Sequence, residues 1–261
     1  MDSIRPSAIP VREAAWPRER FTMLAGIAAV VLAGWAYLAY EAWRMAAMGA
    51  SGMHEHVPRS WHAVDLMLVF GMWAIMMAAM MLPGATPTLL LFARVQEKQT
   101  GGHLIRAWVF ASGYVAMWTV FSIGATVAQW ALHRAALLSP MMLLSNRALA
   151  GAVLLGAGIY QFTPFKQACL RHCQSPLGFL LSRWRDGRGG AFAMGFSHGA
   201  YCVGCCWALM AILFALGVMN LAAAAALALF VAAEKLVPGL RHPAGIALIC
   251  WGAWLLAALV F

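Results

Sequence analysis

A histidine and three cysteines lie within an apolar segment, in the stretch HGAYCVGCCW at 198–207. On a helix of about 3.6 residues per turn, His198, Cys202 and Cys205 share one face, and Cys206 lies one turn from Cys202 on the adjoining edge. Thiolate and imidazole groups are ligands for soft metals, with Cu(I) favoured and zinc second. Cys202 and Cys205 also have the C-x-x-C spacing of redox-active pairs. This stretch is therefore compatible with either a soft-metal site or a redox-active cysteine pair.

Methionines form a second sulfur-rich face in DLMLVFGMWAIMMAAMMLPG, residues 65–84. Methionine also fills irregular gaps between helices, but leucine would pack as well, and five methionines fall within ten residues. Thioethers suit Cu(I) and do not usefully hold Mg²⁺ or Ca²⁺. We therefore expect metal ligands among these residues, of which three form one helical stripe and two lie on its flank: Met72, Met76 and Met80, then Met77 and Met81.

A third cluster lies in TPFKQACLRHCQSP, residues 163–176. The initial Thr-Pro predicts the start of a short helix, and the last proline predicts its end. On that helix Cys169, His172 and Cys173 share a face, at spacings of three and four residues. Neighbouring basic side chains would make the two thiols reactive. The alternative is that they are reduced cytosolic cysteines, which need no partner.

Apolar helices must position these residues, because the composition does not suit a water-soluble domain. The chain is 63% hydrophobic and 10% charged, whereas soluble domains carry about 25% charged residues. A bilayer-spanning helix needs about 20 apolar residues. Uncharged stretches near or above this length occur at 21–40, 66–93, 107–132, 148–165, 191–233 and 243–261. The sequence predicts an all-α, polytopic membrane helix bundle of about seven transmembrane helices.

Two positions are expected to interrupt the apolar segments. The stretch 191–233 would be about twice as long as one span if it formed a single helix, so we expect it to fold back at 217–220. Pro83 is expected to end or kink the second helix at its cytoplasmic end.

The net charge of +9 has a distribution that argues against nucleic-acid binding. Basic residues collect before the first span and after the second, fourth and sixth, which is typical of cytoplasmic segments. The expected organisation is a cytoplasmic N-terminal tail at 1–20 and a single transmembrane helical domain at 21–261, with a basic cytoplasmic loop at 164–190. The expected location is a bacterial inner membrane, with the lipid bilayer as the surrounding partner.

Three motifs together carry a family resemblance: MWAIMMAAMMLP, KQACLRHC and GFSHGAYCVGCCW. They resemble a bacterial family described as predicted metal-binding integral membrane proteins, a domain of unknown function. The likeness extends from the second span to the seventh. It implies a metal site and leaves the activity open. The positions to which it points are Met76, Met77, Met80, Met81, Cys169, Cys173, His198, Cys202, Cys205 and Cys206.

Three functions of different classes are compatible with these features. The leading hypothesis is a membrane protein that binds Cu(I), for copper transport or for delivery to a partner such as a metallochaperone or cuproprotein. It has no ATPase motif to drive a pump. The second is a membrane thiol–disulfide oxidoreductase, which would need the cysteines but not the methionines or His198. The third is a structural subunit of a larger membrane complex. No catalytic residue is assigned, and an enzyme is the less favoured reading.

Overall fold

The protein is helical throughout the part that the structure, a computed structural model, describes: residues 16–50, 61–97, 103–138, 144 and 146–258. Residues 1–15 of the expected N-terminal tail lie outside that part. The helices are α1 Trp16–Ala50, α2 Ala63–Glu97, α3 His103–Arg134, α4 Arg147–Tyr160, α5 Pro164–Gln174, α6 Pro176–Arg183, α7 Gly187–Leu216, α8 Leu221–Leu236 and α9 Arg241–Ala257. The predicted all-α class is confirmed for the described residues.

The number of helices able to cross a membrane differs from the expected seven. By length and composition, four helices qualify within the described residues: α1, α2, α3 and α7. A fifth span results if α4 and α5, which bend by 66° at a short break, are counted together. Helices α8 and α9 are apolar but have only 16 and 17 residues. The described residues thus show four or five of the expected spans, and the count of seven stays a prediction. Uncharged stretches count apolar residues without showing where each helix ends.

The segment 164–190, expected to be a basic cytoplasmic loop that begins with a short helix, contains α5, α6 and the first turn of α7. Its place in the cytoplasm stays a prediction. As predicted, the Thr163 hydroxyl caps the start of α5, where it accepts a hydrogen bond from the Lys166 amide at 3.3 Å. Pro176 both follows the end of α5 and begins α6, because proline suits the first turn of a helix.

The predicted fold-back between α7 and α8 is confirmed. Helix α7 ends at Leu216, and Gly217 follows with a φ of 92°, a left-handed conformation that glycine adopts without a steric penalty. Asn220 then caps α8 by accepting a hydrogen bond from the Ala223 amide at 3.1 Å.

Pro83 does not end α2, and that part of the expectation was wrong. The helix continues through Pro83 and Pro87 to Glu97. A proline inside a helix leaves the carbonyl four residues earlier without its usual donor. Here α2 packs against α1, α3, α6 and α8, and these contacts favour a continuous helix that the local sequence alone would interrupt.

Helix α7 occupies the centre of the bundle and contacts α3, α4, α5, α6 and α8. Its closest approach is to α3, where small residues allow the two backbones to meet. A Cβ atom added at Gly199 would lie 3.0 Å from the Tyr114 carbonyl oxygen and 2.8 Å from the Met117 Cβ. Such close packing of small residues is a main source of helix association in lipid. Four of the predicted site residues therefore lie on a helix that is fixed on several sides: His198, Cys202, Cys205 and Cys206.

Candidate metal centre

Three buried cysteines from two helices converge near the middle of α7. The sulfur atoms of Cys173 on α5 and of Cys202 and Cys205 on α7 all lie within 4.8 Å of one another. We name these three residues the cysteine cluster. Their exposed fractions are 7%, 0% and 1%. Three soft ligand atoms at this separation suit a single soft metal ion.

Helix α7 fixes its share of the cluster through its own backbone. The thiols of Cys205 and Cys206 donate to the Cys202 carbonyl oxygen, at 3.1 and 2.9 Å. These are local bonds across three and four residues of one helix. They leave Cys206 buried beside the cluster, although the group of three sulfur atoms does not include it.

The break between α4 and α5 brings Cys173 to α7. Because the chain bends by 66° there, α5 lies against the middle of α7. A Cβ atom at Gly204 would lie only 2.7 Å from the Cys169 sulfur, so the absence of a side chain allows α5 to approach. The Tyr160 hydroxyl, at the end of α4, donates to the Gly204 carbonyl. Broken helices at membrane depth are tolerated only where protein or a cavity surrounds the backbone.

Two polar side chains surround the Cys202 sulfur. The Lys235 ammonium on α8 donates to it at 3.2 Å, and the Tyr114 hydroxyl on α3 lies 3.1 Å away. Tyr114 also donates to the Met81 carbonyl of α2 at 3.1 Å. An ammonium group next to a sulfur supplies the positive charge that a thiolate ligand needs. Helices α3 and α8 therefore contact α7 at Cys202, and Tyr114 links this point to α2.

A buried ion pair joins α5 to α8 beside the cluster. The Lys166 ammonium lies 2.8 Å from a Glu234 carboxylate oxygen, and their side chains are 0% and 1% exposed. The Gln174 amide at the other end of α5 donates to the Glu234 carbonyl at 2.9 Å. The two helices that carry Cys173 and Lys235 are thus held together by two polar contacts.

Sequence reasoning missed this polar framework. Lys166 and Lys235 are among the basic residues after the fourth and sixth expected spans, which were assigned to the cytoplasmic side. Both side chains are instead buried, against Glu234 and Cys202 respectively. The available signal was the pair Glu234-Lys235 directly after the apolar run of α8, since ionisable residues at such positions are functional candidates by default. Tyr114 had no comparable signal.

The predicted methionine face is buried on the helix that passes the cluster. Met72, Met76, Met77, Met80 and Met81 are between 0% and 4% exposed. Helix α2 contacts the residues around the cluster at two points. The Met81 carbonyl accepts the hydrogen bond from Tyr114, and Gly84 lies next to Lys235. A Cβ atom at Gly84 would lie 2.8 Å from the Lys235 nitrogen. Ligation by the methionine sulfurs stays a prediction.

His198 lies one helical turn before Cys202 and is 1% exposed. Its ring packs against three aromatic rings, with centroid distances of 6.1, 5.7 and 4.9 Å to Phe110, Tyr114 and Phe179. Its Nδ1 atom is buried and has no hydrogen-bond partner among the described residues. A buried imidazole nitrogen without a partner is a free ligand atom. Metal binding by His198 also stays a prediction.

A family model described as a copper chaperone, PpoB2, matches residues 70–255. The chain belongs to this copper chaperone family. The match includes α7, α8 and the cysteine cluster, and it agrees with the metal-binding part of the resemblance seen in the sequence motifs. No curated protein and no solved structure matches the chain. The copper assignment of the family and the three convergent thiols point independently to a soft metal.

Proposed function

We propose that this protein is a membrane copper chaperone that holds Cu(I) in the cysteine cluster and delivers it to a partner cuproprotein. The observation that carries the proposal is the convergence of three buried thiols within 4.8 Å in a chain of a copper chaperone family. In this account copper is the cargo, and the protein supplies a ligand set that releases it to the partner.

The ligand chemistry favours Cu(I) over zinc. Thiolates are soft ligands that suit Cu(I), whereas structural zinc sites are almost always four-coordinate. The group of described residues that converges here supplies three sulfurs. Three thiolates and one Cu(I) carry a net negative charge, which the Lys235 ammonium reduces. This matters because charge is costly in a low-dielectric interior.

The remaining predicted ligands have a proposed role along the path of the metal. His198 lies one turn from the cluster on α7, and the methionines lie on the neighbouring α2. We assign to them transient or supplementary binding of Cu(I), since thioether and imidazole groups hold the ion more weakly than a set of thiolates would. Cys169 and Cys206 flank the cluster and belong to the same soft-ligand environment.

The proposed location is a bacterial inner membrane, with the N-terminus in the cytoplasm. Four long apolar helices support the membrane assignment. The surface-exposed arginines near the ends of α5, α6 and α2 support the orientation, because basic residues accumulate on the cytoplasmic side. Lys166 and Lys235 do not contribute to that argument, since they are buried.

An equilibrium titration tests the proposed function. The full-length protein in detergent, reduced and under anaerobic conditions, would compete with bicinchoninate for Cu(I). We expect one Cu(I) per chain, and we expect Cys173→Ser to weaken binding by about 100-fold. Cys250→Ser is the matched control, because Cys250 is an exposed cysteine of α9. Equal affinity in the Cys173 variant and in this control would refute the proposed site.

A further inference from the structure

A cavity of about 140 Å³ opens beside the cysteine cluster, between α2, the end of α5, the start of α6 and α8. Its lining includes Cys173 and Lys235, together with Thr88, Ala232 and Leu236. The volume is well above the roughly 10–15 Å³ that one water molecule requires. The cavity can therefore hold several waters or the end of a small ligand.

The cavity reaches the cluster at Cys173. This cysteine lines the cavity and also belongs to the group of three sulfurs. It is 7% exposed, while Cys202 and Cys205 are 0% and 1% exposed. Lys235 is the second link, because it lines the cavity and donates to the Cys202 sulfur. Cys173 and Lys235 therefore link the cavity to the other two thiols of the cluster.

The cavity also opens outward. Leu236 on its α8 wall is 72% exposed, and the α2 wall contains Pro83 and Pro87, both exposed. A larger cavity of about 410 Å³ lies elsewhere on α8, and its lining of apolar side chains includes no cysteine. Of these two cavities, the smaller one is lined by a cysteine of the cluster.

We propose that this cavity is the route by which Cu(I) reaches and leaves the cluster, and that Cys173 is the ligand that exchanges with an incoming thiol carrier. This inference rests on the proposed function. It adds a direction of access, a first ligand and a substrate class, namely Cu(I) bound to a small thiol compound that fits the cavity.

The exchange is a ligand substitution. A Cu–S bond to Cys173 forms as a Cu–S bond to the carrier breaks, and the proton that the Cys173 thiol gives up leaves on the released carrier thiol. Copper remains Cu(I) throughout, so no oxidant or reductant is needed. The ammonium of Lys235 faces the cavity and attracts the anionic thiolate complex toward the cluster.

The test separates the rate of exchange from the strength of binding. Ala232→Trp fills the cavity from α8, and Leu236→Trp places the same ring at its exposed rim, where it does not disturb the packing. Ala226→Trp is the matched control, since Ala226 is also on α8 but lines the larger cavity without cysteines. The Cu(I)-loaded protein would be mixed with glutathione, and released copper would be followed with bathocuproine disulfonate.

We expect Ala232→Trp to slow glutathione-dependent copper release by about tenfold or more, with equilibrium affinity within about threefold of the parent protein. Ala226→Trp should release copper at the parental rate. If Ala232→Trp does not fold, the same slower release of copper is expected in Leu236→Trp. Parental release rates in a folded cavity variant with intact affinity would overturn the route.

A second measurement does not depend on copper. In a Cys250→Ser background, Cys173 of the apoprotein should react with N-ethylmaleimide before Cys202 and Cys205, and Ala232→Trp should slow that reaction by about tenfold. Absence of Cu(I) binding together with this labelling pattern would refute the proposed function and leave the access route standing. Equal labelling rates of Cys173 and Cys202 would refute the route itself.

Discussion

Lys235 on α8 places its ammonium nitrogen 3.2 Å from the sulfur of Cys202 on α7, and both side chains are buried. A buried cation needs a partner, because an unpaired charge away from water is strongly disfavoured. Cys202 lies in the cluster with Cys173 and Cys205. The contact therefore places the positive charge of the Lys235 ammonium next to one of the proposed metal ligands.

Lys235→Met is expected to weaken Cu(I) binding by about 10- to 100-fold, because a hydrogen bond to a charged group contributes about 1.5–3 kcal/mol. Competition titration under anaerobic conditions measures the change. Arg188→Met, which removes an exposed charge at the start of α7, should bind like the parent protein. Equal Cu(I) affinities in the two variants would show that Lys235 does not contribute to metal binding.

The ion pair between Lys166 and Glu234 should stabilise the packing of α5 against α8. Lys166→Met alone leaves the Glu234 carboxylate buried without its partner and should destabilise the protein by about 3–5 kcal/mol. The double variant Lys166→Met/Glu234→Met restores an apolar pair and should recover most of that loss. Thermal unfolding in detergent checks this expectation. A single variant as stable as the double would show that the pair does not hold α5 against α8.

The methionine face is tested by Met76→Leu/Met80→Leu. Leucine nearly conserves volume and apolarity, so the cost in stability should stay below about 1.5 kcal/mol. If these thioethers bind the metal, Cu(I) affinity falls while thermal stability is kept. Unchanged stoichiometry and affinity in this variant would assign the buried methionines to packing alone.

His198→Ala distinguishes a ligand from a packing residue. The Nδ1 atom has no hydrogen-bond partner among the described residues. Removing it therefore leaves no protein group without a hydrogen-bond partner. We expect Cu(I) affinity to fall by about tenfold or more, with the remaining thiols still reduced and buried. His242→Ala, at an exposed histidine of α9, is the control. Full affinity in His198→Ala would exclude the imidazole from the metal path.

Local sequence signals predicted the features that depend on a few adjacent residues. These were the fold-back at Gly217 and Asn220, the helix start at Thr163, and the soft-ligand character of the cysteines. The meeting of Cys173 with Cys202 was beyond that reasoning, since it depends on the bend between α4 and α5 and on close approach at Gly204. No periodicity in one helix encodes such an arrangement between helices.

The buried lysines show a second limit of sequence reasoning. A basic residue next to an apolar run is usually a topology signal, and Lys166 and Lys235 were interpreted in that way. Their burial is favoured by partners on other helices, Glu234 and Cys202, which are distant in sequence. Hydropathy likewise does not show where α8 and α9 begin and end, so helix length supports four or five of the seven expected spans.

X-ray absorption spectroscopy of the Cu(I)-loaded protein identifies the atoms bound to the metal. We expect copper to be bound mainly by sulfur, with three thiolates from Cys173, Cys202 and Cys205, and we expect one sulfur fewer in Cys173→Ser. A shell of nitrogen and oxygen atoms, or a sulfur shell unchanged in Cys173→Ser, would contradict this expectation.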